Sequence, residues 1–324
     1  MTILNRSALL KKIDWQKYAS FIALLVLILI SSFLSPYFLK FQNLVNILRQ
    51  VSYTGIIALG MTFVIIGGGI DLSVGSMTAF IGAVVVLLMN SLGTVMRNEF
   101  IVIIIGIATG ITVGALLGAF NGFMITKGKI APFIVTLGSM AIFRSLTLYI
   151  GNAGEIRSSN IIYGEFGMGS FMLIPVPVWV MLILAAILNL VLNNTRYGRY
   201  ICAVGSNQNV AMFSAINVSF VRFFSYTLNG ILIAVSSILL ASRFNAVSTS
   251  NMGMGFELDA IAAVIVGGTV MTGGRGTVWG TVCGAVILGV INNMLNMVGV
   301  SPYLQGTVKG IVIIGAVYIQ RQKQ

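Results

Sequence analysis

VSYTGIIALGMTFVIIGGGIDLSVGSMTAFIGAVVVLLMN, residues 51–90, holds a single charged side chain, Asp71. Two apolar runs, 51–69 and 73–90, flank a glycine-rich break. Each run approaches the ~20 apolar residues that a helix needs to cross a bilayer. Inside lipid the backbone must satisfy its own hydrogen bonds, so such runs read as helices and not as strands. Working outward, comparable runs recur at roughly 19–35, 100–123, 130–150, 175–193, 222–242, 259–272, 277–298 and 304–319. The expected fold class is all-α: a polytopic membrane helix bundle of about ten transmembrane helices, with residues 1–324 forming one membrane domain. Two places break the pattern. Gly67, Gly68, Gly69 and Gly75 interrupt the opening stretch, and the short 259–272 run leads into Gly273, Gly274 and Gly276. Both read as broken or re-entrant helices, which in transporters often mark the substrate path.

Composition agrees. Of 324 residues, 57% are hydrophobic and 8% charged, against about 25% charged in soluble domains. The solvent for most of this chain is lipid. The net charge of +12 is read as orientation and not as a nucleic-acid surface. The basic residues are scattered between spans, with no stripe of exposed aromatics. The charged start of the chain, Arg6, Lys11, Lys12 and Lys17 before the apolar run 19–34, has the look of a signal peptide. With no convincing cleavage site and further spans following, it is read as an uncleaved first helix.

Alternating sides from a cytoplasmic N-terminus tests the count. Arg6, Lys11, Lys12, Lys17, Lys127, Lys129, Arg196, Arg199, Arg222, Arg275, Arg321 and Lys323 fall inside. Lys40, Arg49, Arg97, Arg157 and Arg243 fall outside, and Arg144 and Lys309 lie within spans. That excess of inside cations supports ten spans with both termini cytoplasmic.

Histidine is absent, and Cys202 and Cys283 stand alone. The commonest general base and metal ligand is therefore missing, and neither a disulfide nor a metal site is expected. The nearest approach to a P-loop, Gly128-Lys129, has Phe123 and Ile130 where glycine and Ser/Thr are required. No catalytic constellation and no cofactor are expected.

Three segments carry polar groups of interest. In Gly67–Gly75, Asp71 and Ser73 read either as a cap and turn or as groups lining the permeation path or its gate. Glu257 and Asp259 precede an apolar span, where acids suit the helix dipole or face a partner or a sugar. Thr195–Ala211, within the polar inside loop 194–221, reads as a plain loop or as a docking segment for a cytoplasmic partner. A faint echo links Val64-Ile65-Ile66-Gly67-Gly68 to Val264-Ile265-Val266-Gly267-Gly268.

GIDLSVGS at Gly69–Ser76, TRYGRYICAVGSN at Thr195–Asn207, ELDAIAAVIVGGT at Glu257–Thr269 and GGRGTVWGT at Gly273–Thr281 resemble the permease subunits of ribose-, xylose- and galactose-type ABC importers. The resemblance runs from about Gln42 to Lys309. It implies a bacterial inner-membrane permease that pairs with a second permease, two cytoplasmic ATPase subunits and a periplasmic sugar-binding protein. It also implies that Arg196, Gly198, Arg199, Ala203, Gly205, Asn207 and Ala211 belong to the loop coupling to the ATPase. One departure is visible: where that family often has Gly-Ile, this chain has Ala215-Ile216. The competing readings are a stand-alone facilitator, an intramembrane enzyme, and a permease for a nucleoside or sugar-like signal molecule.

Overall fold

The computed structural model describes residues 15–321. Arg6, Lys11, Lys12 and Lys323 lie outside the described residues, as do both termini. The elements run α1 (Trp15–Leu34), α2 (Phe41–Ile66), α3 (Val74–Gly93), α4 (Glu99–Thr126), α5 (Pro132–Ile150), β1 (Glu155–Arg157), α6 (Ile161–Met168), β2 (Ser170–Phe171), β3 (Ile174–Pro175), α7 (Val176–Asn194), α8 (Arg196–Ser206), α9 (Gln208–Phe213), α10 (Val218–Phe244), β4 (Ala246–Ser248), α11 (Phe256–Val266), α12 (Val278–Met297) and α13 (Pro302–Arg321). Helices dominate. Among the described residues, α2, α3, α4, α5, α7, α10 and α12 are long and apolar enough to cross a membrane. Large apolar side chains on outward faces, such as Leu25, Ile104, Leu116 and Ile183, are more than half exposed, as a lipid-facing surface requires.

Helix boundaries move from the sequence reading where glycines and polar residues intervene. The run expected from 51 begins ten residues earlier, at Phe41, so Gln42, Asn43 and Arg49 are helical. The break at 67–73 is real, and α2 and α3 on either side are continuous. The run 259–272 is helical only over Phe256–Val266. Eleven residues rise about 16 Å, so α11 is a half-length helix. The polar loop 194–221 is mostly helical, as α8 and α9.

The centre of the bundle is α10, packed against α2, α3, α4 and α6. On α4, Gly110, Gly114, Gly118 and Gly122 recur at every fourth residue and face Ile238, Gly230, Tyr226 and Phe223 of α10. A Cβ at Gly118 would run into the Tyr226 carbonyl oxygen. Small residues here let two backbones approach as membrane helices do.

The Val64–Gly68 echo has a structural counterpart. α2 ends with Gly67 N–H bonded to Phe63 O, Gly68 N–H to Ile65 O and Gly69 N–H to Val64 O. α11 ends with Gly267 N–H bonded to Ala263 O, Gly268 N–H to Ile265 O and Thr269 N–H to Val264 O. Gly68 and Gly268 have φ of 76° and 92°. Each is a Schellman stop, which places a left-handed residue after the helix and satisfies its last carbonyls.

β1 and β4 pair antiparallel, Ile156 opposite Val247. This ribbon ties the 151–174 connection to the end of α10. After β4 the chain turns back into the protein. Arg144 stands twelve residues into α5 (144 − 132), about 18 Å along it. Its guanidinium donates to Thr249 O at 2.9 Å and Met252 O at 3.0 Å. Residues 249–255 are therefore a segment that turns back into the bundle, held by Arg144 about two-thirds of the way along α5, before α11 begins.

Candidate functional site

Three polar regions stand out in the bundle. The first is a cavity of about 660 Å³ between α2, α10, α11, α12 and α13, at the end that carries the β1–β4 ribbon. Residues Asn251–Met254 form part of its wall. Asp259, in the first turn of α11, lines it and pairs with Lys309 of α13 at 2.8 Å. Asn292 and Asn296 of α12 and Gln305 of α13 also line it, and Gln305 donates to Asn296 at 2.7 Å. Beside the cavity, Asn43 and Asn293 exchange hydrogen bonds of 3.1 and 2.8 Å and join α2 to α12.

The second region is a buried polar lock. Asp71, Ser73, Asn121 and Asn229 are fully buried and Ser139 nearly so. One Asp71 oxygen accepts from Ser73 N–H at 3.0 Å and from the Ser73 hydroxyl at 2.6 Å. The other accepts from Asn229 Nδ2 at 2.9 Å. Ser73 Oγ accepts from Asn121 Nδ2 at 3.0 Å, and Ser139 donates to Asn121 Oδ1 at 2.6 Å. One chain of hydrogen bonds thus joins the 67–73 segment to α4, α5 and α10. The same face of α10 supplies Arg222, donating to Gly67 O at 3.1 Å, and Tyr226, donating to Ile70 O at 3.0 Å. Residues 222, 226 and 229 follow the i, i+4, i+7 spacing of one helix face. One of the two readings of Ser73 made it a cap of α3. It stands at the N-cap but makes no side-chain cap bond; its hydroxyl is spent on Asp71 instead.

The third region is the opposite end. α8 buries Gly198, Ile201 and Val204 at i, i+3, i+6 spacing, an amphipathic face. Gly205 packs against the Ile66 carbonyl and Gly274, and Gly274 N–H donates to Ile66 O at 2.9 Å. The outward face carries Arg196, Arg199, Asn207 and, on α9, Val210, Met212 and Phe213, the last 87% exposed. Ala203 is half-buried and Ala211 buried.

The structure brings the sequence-derived candidates together only in part. Asp71 and Ser73 share the lock and do not line the cavity. Asp259 lines it. Glu257 does not: it sits half-buried beside Gly75 and near Arg144, without a direct ion pair. The loop residues from Arg196 to Ala211 do form one unit, although Gly205 faces the bundle. Cys202 and Cys283 are free. Among the described residues no cluster suits a metal. Sequence reasoning missed Tyr53, Asn292, Asn296 and Gln305. Amides inside an apolar helix are costly unless they face protein or water, and Asn292-Asn293-x-x-Asn296 carries that signal.

Ala215 has φ of 58°, a left-handed backbone that costs an L-residue roughly 1–2 kcal/mol and glycine nothing. Ala215→Gly is expected to stabilise the chain by about 0.5–1 kcal/mol after the entropy glycine adds to the unfolded state. A rise in melting temperature in detergent checks this; a fall would place the strain elsewhere.

Comparison with known proteins completes the picture. Residues 43–317 match the family described as branched-chain amino acid transport system / permease component. The chain is 44% identical over 310 residues to the ribose import permease protein of Bacillus subtilis (strain 168), covering 95% of this chain and 94% of that one. It is 40% identical over 308 residues to the D-allose transport system permease protein of Escherichia coli (strain K12), covering 95% and 92%. It is 37% identical over 338 residues to the galactose/methyl galactoside import permease protein of Salmonella typhimurium, covering 100% and 98%. No solved structure matches. Seven membrane-competent helices among the described residues, a broken helix beside a polar cavity and this end-to-end similarity agree: the chain is a multi-pass transport permease, not an enzyme, and belongs to the branched-chain amino acid transport system / permease component family alongside the ribose, allose and galactose import permeases.

Proposed function

We propose that this chain is the membrane subunit of an ATP-driven importer that moves a monosaccharide, a ribose-like pentose or a hexose, across a bacterial inner membrane. The observation that carries this reading is the similarity over nearly the full chain to permeases named for ribose, allose and galactose import. The chain crosses the membrane ten times, α11 contributing a broken span, with both termini cytoplasmic. The inside excess of Lys and Arg supports that orientation. The cavity then opens to the periplasm, where a sugar-binding protein delivers cargo, and α8–α9 faces the cytoplasm. A second permease, identical or related, completes the assembly. ATP is hydrolysed by separate cytoplasmic subunits, and α8–α9 passes their motion to the bundle as a rigid lever.

The apolar residues exposed on α9 fit this assignment. Val210, Met212 and Phe213 are each more than half exposed at a polar end of the chain, as an uncovered docking surface is. Purification of the tagged chain from native membranes in mild detergent is expected to recover an ATPase subunit carrying a P-loop, identified by mass spectrometry. Recovery of the chain alone, able to carry D-ribose into liposomes without ATP, would replace the importer by a facilitator.

A further inference from the structure

Residues 249–255 form a strap between β4 and α11, held to the bundle by two contacts of different kinds. On the α5 side, the Arg144 guanidinium donates to Thr249 O and Met252 O. Among the described residues these two carbonyls have no other donor. On the α3 side, Gly253 lies against Gly75 backbone to backbone, and a Cβ on either would overlap the other's carbonyl oxygen. The strap also faces the cavity, through Asn251, Met252, Gly253 and Met254. Its junction with α11 is a glycine joint. Gly255 has φ of 78°, and a Cβ there would meet nothing within 4 Å. No packing pins this residue, and glycine changes φ at little steric cost.

A fixed tether would need only a neutral donor at position 144, since a charge inside a membrane bundle is costly. Among the described residues the ion pairs are Arg157–Glu155 and Lys309–Asp259, so the half-buried Arg144 has none. Glu257, half-buried in the first turn of α11, has none either. Each feels the other's charge. Two opposite charges, partly shielded from water and left unjoined, forgo an attraction that strengthens as water is excluded. Asp259, the other acid of that turn, is taken by Lys309, which leaves Glu257 as the carboxylate for Arg144. A turn at Gly255 that lifts Thr249 and Met252 off the guanidinium frees its donors for that carboxylate.

We propose that Arg144 is a two-position latch: in this state it holds the strap 249–255 by two carbonyls, and in the other it releases the strap and pairs with Glu257. A planar guanidinium suits both partners, because its fork meets two carbonyls or the two oxygens of one carboxylate. Both residues are positioning residues, and neither touches cargo. Release moves a wall of the cavity and the start of α11 together, since the strap runs directly into that helix. The latch rests on the importer reading only for what drives it, ATP turnover in a separate subunit.

Thr249 can report the latch. It is 0% exposed and does not line the cavity, so a cysteine there meets a maleimide only when the strap lifts. The test uses the full chain with Thr249→Cys, Cys202→Ser and Cys283→Ala, reconstituted with its ATPase and binding protein. Labelling is expected to be slow without nucleotide and about tenfold faster in the complex trapped with ATP and vanadate, the factor that one hydrogen bond to a charged group gives an equilibrium. Adding Arg144→Gln should raise the nucleotide-free rate by about tenfold for the same reason. Arg144→Lys keeps the charge and one donor; it should label at an intermediate rate, and it replaces Arg144→Gln if that variant does not fold. Adding Glu257→Gln should leave the nucleotide-free rate and the melting temperature unchanged and remove the rise on trapping. A rate equal in all nucleotide states, or a rise on trapping that survives Glu257→Gln, overturns the latch and makes Arg144 a fixed tether. An assembly that recovers no ATPase sinks the importer reading alone. Faster labelling of Arg144→Gln in the chain by itself then still supports the latch, and an unchanged rate overturns it.

Discussion

Asp71→Leu is expected to abolish folded, monodisperse protein in detergent, while Asp71→Asn retains it. The carboxylate accepts three hydrogen bonds, from Ser73 N–H, the Ser73 hydroxyl and Asn229 Nδ2, at full burial. Leucine strands all three donors. Each bond to a charged acceptor is worth about 1.5–3 kcal/mol, and unpaired buried donors carry their own penalty. Membrane proteins recover part of such a loss because their unfolded state also finds partners, so the net cost is put at about 2–4 kcal/mol. Asparagine behaves differently. Its oxygen can replace the one facing Ser73. Its amide then meets Asn229 Nδ2, donor against donor, but Asn229 Oδ1 has no partner and a flip of that amide restores the bond.

The same pair decides whether Asp71 has a transport role beyond the lock. Size-exclusion chromatography and thermal melting report folding, and uptake in proteoliposomes reports transport. The lock alone predicts Asp71→Asn uptake within a few-fold of wild type. A folded Asp71→Asn assembly with uptake gone would return Asp71 to the path or gate, since the conservative change leaves the packing in place and removes the charge.

Asp71 also shows how far the sequence reaches. A lone acid among glycines between two apolar runs announces that it is buried and paired, because nothing else tolerates it there. It does not announce the partners. Asn121, Ser139 and Asn229 lie 50, 68 and 158 residues away (121 − 71, 139 − 71, 229 − 71), on helices whose relative rotation no local pattern encodes. The apolar spans were legible because lipid leaves the backbone one solution. The half-length of α11 was legible only as a warning, from the glycines that follow it. What shortens the helix at its other end is Arg144, a residue on a different helix holding 249–255 inward. Arg144 and Lys309 were visible only as charges within spans; Lys309 pairs with Asp259, and Arg144 has backbone carbonyls as its partners. The cavity followed the same logic. Asp259 was visible as an acid at a helix start, whereas Tyr53 reads as one aromatic among many until α12 and α13 are placed across from it.

Gly205→Val is expected to produce the other large loss, through the bundle and not through a partner. The resemblance placed Gly205 in the loop that couples to the ATPase. The structure turns that residue inward. A Cβ there would overlap the Ile66 carbonyl oxygen and stand 2.5 Å from Gly274 N, which itself donates to that same oxygen. Both neighbours are backbone, so no side chain can swing aside. Ile66 O belongs to the last turn of α2, and Gly274 has φ of 81°, which fixes the turn. α8 must therefore lift, and its buried face of Gly198, Ile201 and Val204 lifts with it. Overpacking of this kind costs about 1–3 kcal/mol or more, and the α2–α8–Gly274 junction has no second arrangement to fall into. Melting temperature and uptake should fall together. Phe213→Ser makes the contrast. Phe213 is 87% exposed, so the chain alone should melt as wild type, while recovery of the ATPase on a tagged permease drops by about tenfold or more, as for a truncated aromatic anchor at an interface. If Gly205→Val melts normally and loses only the ATPase, α8 meets its partner through that residue, and the inner junction does not carry the helix.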